Sequence, residues 1–127
     1  MRFVYPNGKR KALTFSYDDA QRFDRELVEI FNKYGVKGTF HLNSGTLSDT
    51  HDGTEFFISK EEVPTLYEGH EVAVHGVEHR NLPNLSKSQM VMEIEEDRKA
   101  LEKMTGSFVQ GMSYAFGSYN DQVVEVL

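Results

Sequence analysis

Apolar positions along this chain fall alternately into short continuous runs and into stripes at helical spacing. Residues 11–17 (Lys-Ala-Leu-Thr-Phe-Ser-Tyr) form an apolar-rich run closed by Asp18 and Asp19, which predicts a buried strand delivering polar groups at its carboxyl end. Phe23, Leu27, Ile30, Phe31 and Tyr34 then recur at helical spacing with Gly35 as the stop, predicting a helix over 23–34. A second strand is expected over 36–43. Ser59 with Glu62 forms a capping box for a helix reaching about Tyr67, with Pro64 near its first turn. Residues 71–75 (Glu-Val-Ala-Val-His) read as a third strand. After a loop containing Pro83, Ser86 and Gln89 form another capping box, opening a helix in which Met90, Ile94, Asp97, Leu101 and Met104 recur near helical period up to Gly106. A fourth strand is expected over 107–116, and 120–127 begins another helical pattern.

This alternation predicts an α/β fold with parallel strands and flanking helices, either a doubly wound sheet or part of a barrel. Both architectures place active sites at the carboxyl ends of the strands, where Asp18, Asp19, Asn43, His75 and residues 113–117 fall. No Pro-, Gly- or Ser-rich linker divides the chain, which reads as one domain.

Composition narrows the function classes. With 127 residues, 39% apolar and 27% charged, the chain has the balance of a soluble globular domain. A net charge of −6, from 14 basic against 20 acidic residues, argues against a nucleic-acid partner. The short Lys9-Arg10-Lys11 cluster is a solvated approach to the first strand. There is no cysteine, so any metal must sit on imidazole and carboxylate. The amino terminus lacks the apolar core of a secretory signal and no window approaches a membrane span; as written, the chain is expected to be cytoplasmic, with no membrane contact.

Candidate chemistry concentrates in Asp18, Asp19, His75 and His79. A carboxylate with two imidazoles suits a hydrolytic divalent metal, zinc first, with cobalt, nickel, iron or manganese also accepted. Adjacent carboxylates at a strand end point in different directions, so one can bind metal while the other takes a proton. Taken singly, either aspartate could equally be a helix N-cap and either histidine a loop residue. His41 shares a strand face with Thr39 and Asn43, lining the cleft or forming a hydrogen-bonded core histidine. His70 falls at the opposite end of its strand, and His51 in a polar loop where it is expected to be solvated.

The motifs also resemble a known family. Leu13 to Asp19 is similar to the first motif of the polysaccharide deacetylases, carbohydrate esterase family 4 with its NodB-like domain. Gly38-Thr-Phe-His-Leu-Asn43 resembles that family's second strand, and Gly69-His-Glu-Val-Ala-Val-His-Gly-Val-Glu-His79 its metal-binding motif, in the correct order. The resemblance implies that residues 1–127 form the N-terminal part of a distorted (β/α) barrel catalytic domain. It implies Asp18 as general base and Asp19, His75 and His79 as metal ligands. Metal-activated water would remove acetyl groups from N- or O-acetylated sugars. Ser113-Tyr-Ala-Phe-Gly117 corresponds to the segment that supplies a wall and a backbone donor, which makes Tyr114, Phe116 and Gly117, with Asn43, candidate substrate-binding residues.

The pattern also breaks. Ser113 and Ala115 stand where the family's third motif carries an arginine, which orients the base, and a proline; Ala20 stands where a glycine follows the aspartates. Either another group holds Asp18 or catalysis is weaker. The family barrel has about seven or eight strand-helix units against about four here, and the late histidine that serves as general acid is not matched. Residues 121–127 show no cap or stop signal, so a truncated chain or an association with a second copy covering the open side of the half barrel is expected. Two other functions compete with deacetylation of carbohydrate. One is hydrolysis of other non-peptide C–N bonds in a small amide, the other a non-catalytic metal- or carbohydrate-binding remnant.

Overall fold

The computed structural model describes residues 4–127. Three parallel strands, β1 (Ser16–Asp18), β2 (Thr39–Leu42) and β3 (Glu71–Val74), pair in the order β1-β2-β3. The register sets Asp18 opposite His41 and Leu42 opposite Val74, so the carboxyl ends of the strands line up. Helices α1 (Asp24–Tyr34), α2 (Val63–Leu66), α3 (Lys87–Thr105) and α4 (Asp121–Val126) flank this sheet. None of the helices among the described residues is long and apolar enough to cross a membrane.

The first strand is shorter than the 11–17 run, and all three of its residues are exposed rather than buried. Among the described residues it pairs on one flank only, and upstream of Ser16 the ladder continues through a single bond from the Thr39 amide to the Phe15 carbonyl, 2.9 Å. The second strand starts at Thr39 and not at 36, because the Val36 amide instead donates to Phe31 O, closing the end of α1 at 2.8 Å. Gly35 ends that helix in the left-handed region, φ 64°, a conformation that costs glycine little.

The buried face of α1 differs from the expected stripe. Asp24, Val28 and Phe31 point inward with Leu27 beside them, whereas Phe23, Ile30 and Tyr34 are exposed. Asp24 can occupy this inward position because the Tyr67 hydroxyl donates to its Oδ2 at 2.7 Å, an interaction that counting apolar residues overlooks. Burial pushes the Asp24 carboxyl up to about 6, with the nearby Asp19 charge adding to the rise and the Tyr67 bond opposing it.

The Ser59–Glu62 contact forms, with Ser59 N and Oγ both donating to Glu62 Oε2, but it precedes only the short α2. Pro64 lies in the first turn, where its ring obstructs an earlier turn. By contrast, the Ser86–Gln89 capping box is complete and opens the full helix α3, which Gly106 ends at φ 65°.

The expected strand over 107–116 does not form. Its pairing with β3 is one bridge, Val74 with Met112, made by Val74 N to Gly111 O and Ser113 N to Val74 O. The chain then turns through Ala115–Gly117 with Phe116 at φ 61°, which ends any extended run. The last helix does have a cap, contrary to expectation: Asn120 Oδ1 accepts from Val123 N at 2.9 Å.

Phe40, Leu42, Ile58, Val63, Val74 and Leu101 fill the main core between the sheet and helices. Phe40 is fully buried against Tyr67, ring centroids 4.9 Å apart. Leu82, Met90 and Val123 form a second cluster under α4.

Candidate active site

The turn after β1 and the loop after β3 bring Asp19, His75 and His79 together. Asp19 Oδ1 lies 3.5 Å from His75 Nε2 and 3.4 Å from His79 Nε2, and the two rings are 4.8 Å apart by centroid. Ligand bonds of about 2.0–2.2 Å at tetrahedral angles separate ligand atoms by about 3.3–3.6 Å, so both aspartate–histidine spacings suit a zinc-sized cation, and all three ligand atoms lie within 4.8 Å of one another. The fit rests on unusual backbone: Asp19, Ala20 and His79 all have positive φ, 79°, 52° and 54°. Ala20, where the family resemblance leads one to expect glycine, therefore sits in a region that costs an L-residue about 1–2 kcal/mol.

Two carboxylates on α3 hold the strand ends from behind. Asp97, wholly buried, accepts from Ser44 N at 2.7 Å, His75 N at 3.1 Å and Gly76 N at 3.0 Å. Burial raises its pKa, against the pull of these hydrogen bonds. One turn earlier, Glu93 Oε1 accepts from Glu78 N at 2.7 Å and Arg80 N at 3.4 Å, on either side of His79. Sequence reasoning gave neither residue a role, although Asp97 already stood out as a carboxylate within the apolar phase of its helix.

Asp18 stands beside the triad with different partners. Its Oδ1 lies 2.9 Å from His41 Nδ1 and accepts from Ser113 Oγ at 3.3 Å, while Oδ2 is 3.9 Å from His75 Nε2. Ser113 also meets the other face of His75: its carbonyl is 3.1 Å and its hydroxyl 2.7 Å from Nδ1. A carbonyl can only accept, so Nδ1 carries the hydrogen and the Nε2 lone pair is left on the side of Asp19 and His79, available to a cation. Hence the serine at the arginine position touches both the aspartate and a candidate ligand.

The remaining candidates divide. Phe116, 67% exposed, sets its ring 4.4 Å from that of His79. Tyr114 instead stacks on Tyr119 and packs on the Leu82–Met90–Val123 cluster, and Gly117 lies in the following turn. Asn43 is buried and uses its amide hydrogens on the His75 and Gly76 carbonyls, both at 2.8 Å. It also lines a cavity of about 160 Å³ with Asp19, Gln21, Thr46, Phe57 and His79. A larger cleft of about 280 Å³ at the opposite strand ends contains His70 and none of the triad.

His51 is half-exposed but bonded, correcting the expectation of a merely solvated ring: Nδ1 lies 2.6 Å from Glu55 Oε1. Arg25 fills the centre of this second group, reaching Glu55 at 2.6 Å and Glu62 at 2.7 Å. Its guanidinium holds the Glu62 carboxyl down at about 2.

Comparison with known proteins places this geometry. A peptidoglycan-N-acetylglucosamine deacetylase of Listeria monocytogenes is 28% identical over 118 residues, which cover 93% of this chain but 24% of that protein. The chain thus spans about a quarter of that curated relative's length. Among solved structures, a Streptococcus pyogenes deacetylase in complex with acetate superposes with a TM-score of 0.81 at 21% identity, covering 95% of this chain and 52% of that one. A Bacillus cereus polysaccharide deacetylase gives 0.80 at 21%, covering 94% and 38%. The three-stranded parallel sheet with its helices matches part of the (β/α) barrel of these enzymes. Since the polysaccharide deacetylase profile itself matches residues 5–127, the chain belongs to the polysaccharide deacetylase family.

Proposed function

We propose that the site is a metal-dependent deacetylase centre that removes acetyl groups from N- or O-acetylated sugars. The observation carrying this reading is the division of labour at the end of β1. Asp19 lies within 3.5 Å of both histidine Nε2 atoms, while Asp18 stands next to them on its own set of contacts. Asp19, His75 and His79 would hold the cation, zinc by preference for this nitrogen and oxygen set. When bound, that cation supplies Lewis acidity toward the acyl carbonyl and toward water.

The chain's own residues supply the rest. Asp18 takes a proton from the attacking water as the new C–O bond forms; when the acyl C–N bond breaks, a proton passes to the leaving nitrogen, giving acetate and a free amine. Phe116 walls the approach beside His79, and the cavity lined by Asn43, Thr46 and Phe57 is of a size to take a small acyl group. Ser113 keeps His75 in the Nδ1–H tautomer that leaves Nε2 free.

Acetate release from acetylated chito-oligosaccharides, with metal content measured on the same samples, tests the reading. Asp18→Asn should retain zinc and lose activity by on the order of 100-fold or more, within the range for a general base. Equal turnover by wild type and Asp18→Asn would overturn the assignment of the base. Turnover of an amide without an acetyl group, in place of the acetylated sugar, would move the site to other non-peptide C–N bonds.

A further inference from the structure

We propose that His41 is the positioning residue for Asp18, supplying in this chain the constraint that the arginine absent at Ser113 cannot. The inference rests on Asp18 acting as the base and adds the group that aims it. The parallel register sets Asp18 directly opposite His41, so the two side chains project from neighbouring strands on the same face. The His41 ring is buried, and its Nδ1 faces three oxygens: Asp18 Oδ1 at 2.9 Å, Tyr17 O at 3.2 Å and Ser16 Oγ at 3.4 Å. The carbonyl can only accept, so Nδ1 carries hydrogen and donates to Tyr17 O, while Asp18 Oδ1 sits beside the same N–H at 2.9 Å as a charge–dipole contact. The carbonyl contact fixes the ring, and the ring in turn fixes the carboxylate.

Asp18 needs such a constraint, because its side chain is 47% exposed and otherwise free to turn toward solvent. Ser113 Oγ approaches the same Oδ1 from the other side at 3.3 Å. With Oδ1 held between them, Oδ2 is left on the side of His75 Nε2. Among the described residues no lysine or arginine pairs with Asp18; its ion-pair partners are His41 and His75. A base displaced by about 1 Å can lose roughly 100-fold in rate, so a positioning contact has room to matter.

The test compares His41→Phe and His41→Asn in the zinc-loaded protein carrying its whole natural chain. Phenylalanine refills the buried space without an N–H, whereas asparagine leaves space but restores an N–H near the same oxygen. Positioning predicts that His41→Phe loses kcat by roughly 10- to 100-fold with KM and zinc content little changed, and that His41→Asn recovers much of it. A packing role predicts the reverse order, and that order would overturn the proposal. A readout independent of turnover is the side-chain ¹⁵N spectrum of wild type and Asp18→Asn. The His41 Nδ1 resonance should move and that of His51 should not. An unmoved His41 resonance sinks the proposal. A wild type inactive on acetylated sugars whose His41 still responds to Asp18→Asn upholds the coupling and removes the deacetylase reading instead.

Discussion

Among the described residues, two places gather histidine and carboxylate closely enough to hold a cation: Asp19 with His75 and His79, and His51 with Glu55 and Glu62. In the second, Arg25 reaches both glutamates and lies 3.3 Å from His51 Nδ1, so a protein cation already satisfies the charges. In the first, among the described residues, Asp19 pairs only with the two histidines. The backing differs as well. The loop from His75 to Arg80 is fixed by Asp97 and Glu93 from a 19-residue helix, whereas His51 rides on an exposed loop whose contacts run mainly through Arg25 and Glu55. Ligand-type residues in proximity are therefore insufficient. A candidate metal centre also needs unfilled charge and ligands held by something other than the ion.

The largest expected effect separates the two groups directly. A His75→Ala, His79→Ala double variant should lose its zinc after dialysis, and His51→Ala should keep the wild-type stoichiometry. Loss of zinc from His51→Ala, or its retention by the double variant, would reverse the comparison. Next in size is the backing itself. Asp97→Ala strands the buried Ser44 and Gly76 amides, while His75 N keeps its bond to Leu42 O, and should cost roughly 3–5 kcal/mol of stability in denaturant unfolding. It should also weaken zinc binding, although Asp97 touches only the His75 backbone and no side chain of the triad. A variant as stable as wild type would show that the amides find other partners.

The same contrast explains what was legible from the residue pattern. The triad and the neighbouring aspartate could be read because Asp18, Asp19 and His75 fall at strand ends, which converge in a parallel sheet, and His79 follows His75 by four residues in the next loop. The complete capping box at Ser86 and the glycine stops at Gly35 and Gly106 are local signals, and they placed helices correctly. What escaped depends on contacts distant in sequence. Asp97 reaches amides 21 to 53 residues away, His41 meets Asp18 only through strand register, and Arg25 finds Glu62 across 37 residues. The fourth strand failed for the complementary reason: 107–116 has the composition of a strand, but the chain pairs with β3 only at Met112 before turning.

Removing Arg25 sharpens the comparison from the other side. Arg25→Ala should lower stability, because Glu55 and Glu62 lose the guanidinium and keep only His51, the Gly53 amide and Ser59 as partners. The freed His51–Glu55–Glu62 group should then take up a second, weaker equivalent of zinc, measurable by titration calorimetry. If the stoichiometry stays at the wild-type value, loop mobility rather than the guanidinium keeps metal out.

The smallest effect concerns pH, and again sets a buried carboxyl against a charge-paired one. Burial raises Asp24 to about 6, so between about 4 and 6 the folded chain binds more protons there than the unfolded one. The stabilising contribution is therefore complete below the unfolded value and disappears as pH rises through 6, an effect on the order of 2 kcal/mol. Glu62 has the opposite sign: held down at about 2 by Arg25, it stabilises above its ordinary value and loses that contribution as pH falls. Thermal unfolding of Asp24→Asn across pH 2–7 isolates the first contribution. Relative to wild type, the variant should lack the decline between pH 4 and 6 while keeping the acid limb that Glu62 supplies. Parallel curves for the two proteins would mean that Asp24 ionises normally, and that the Tyr67 hydroxyl outweighs burial at this position.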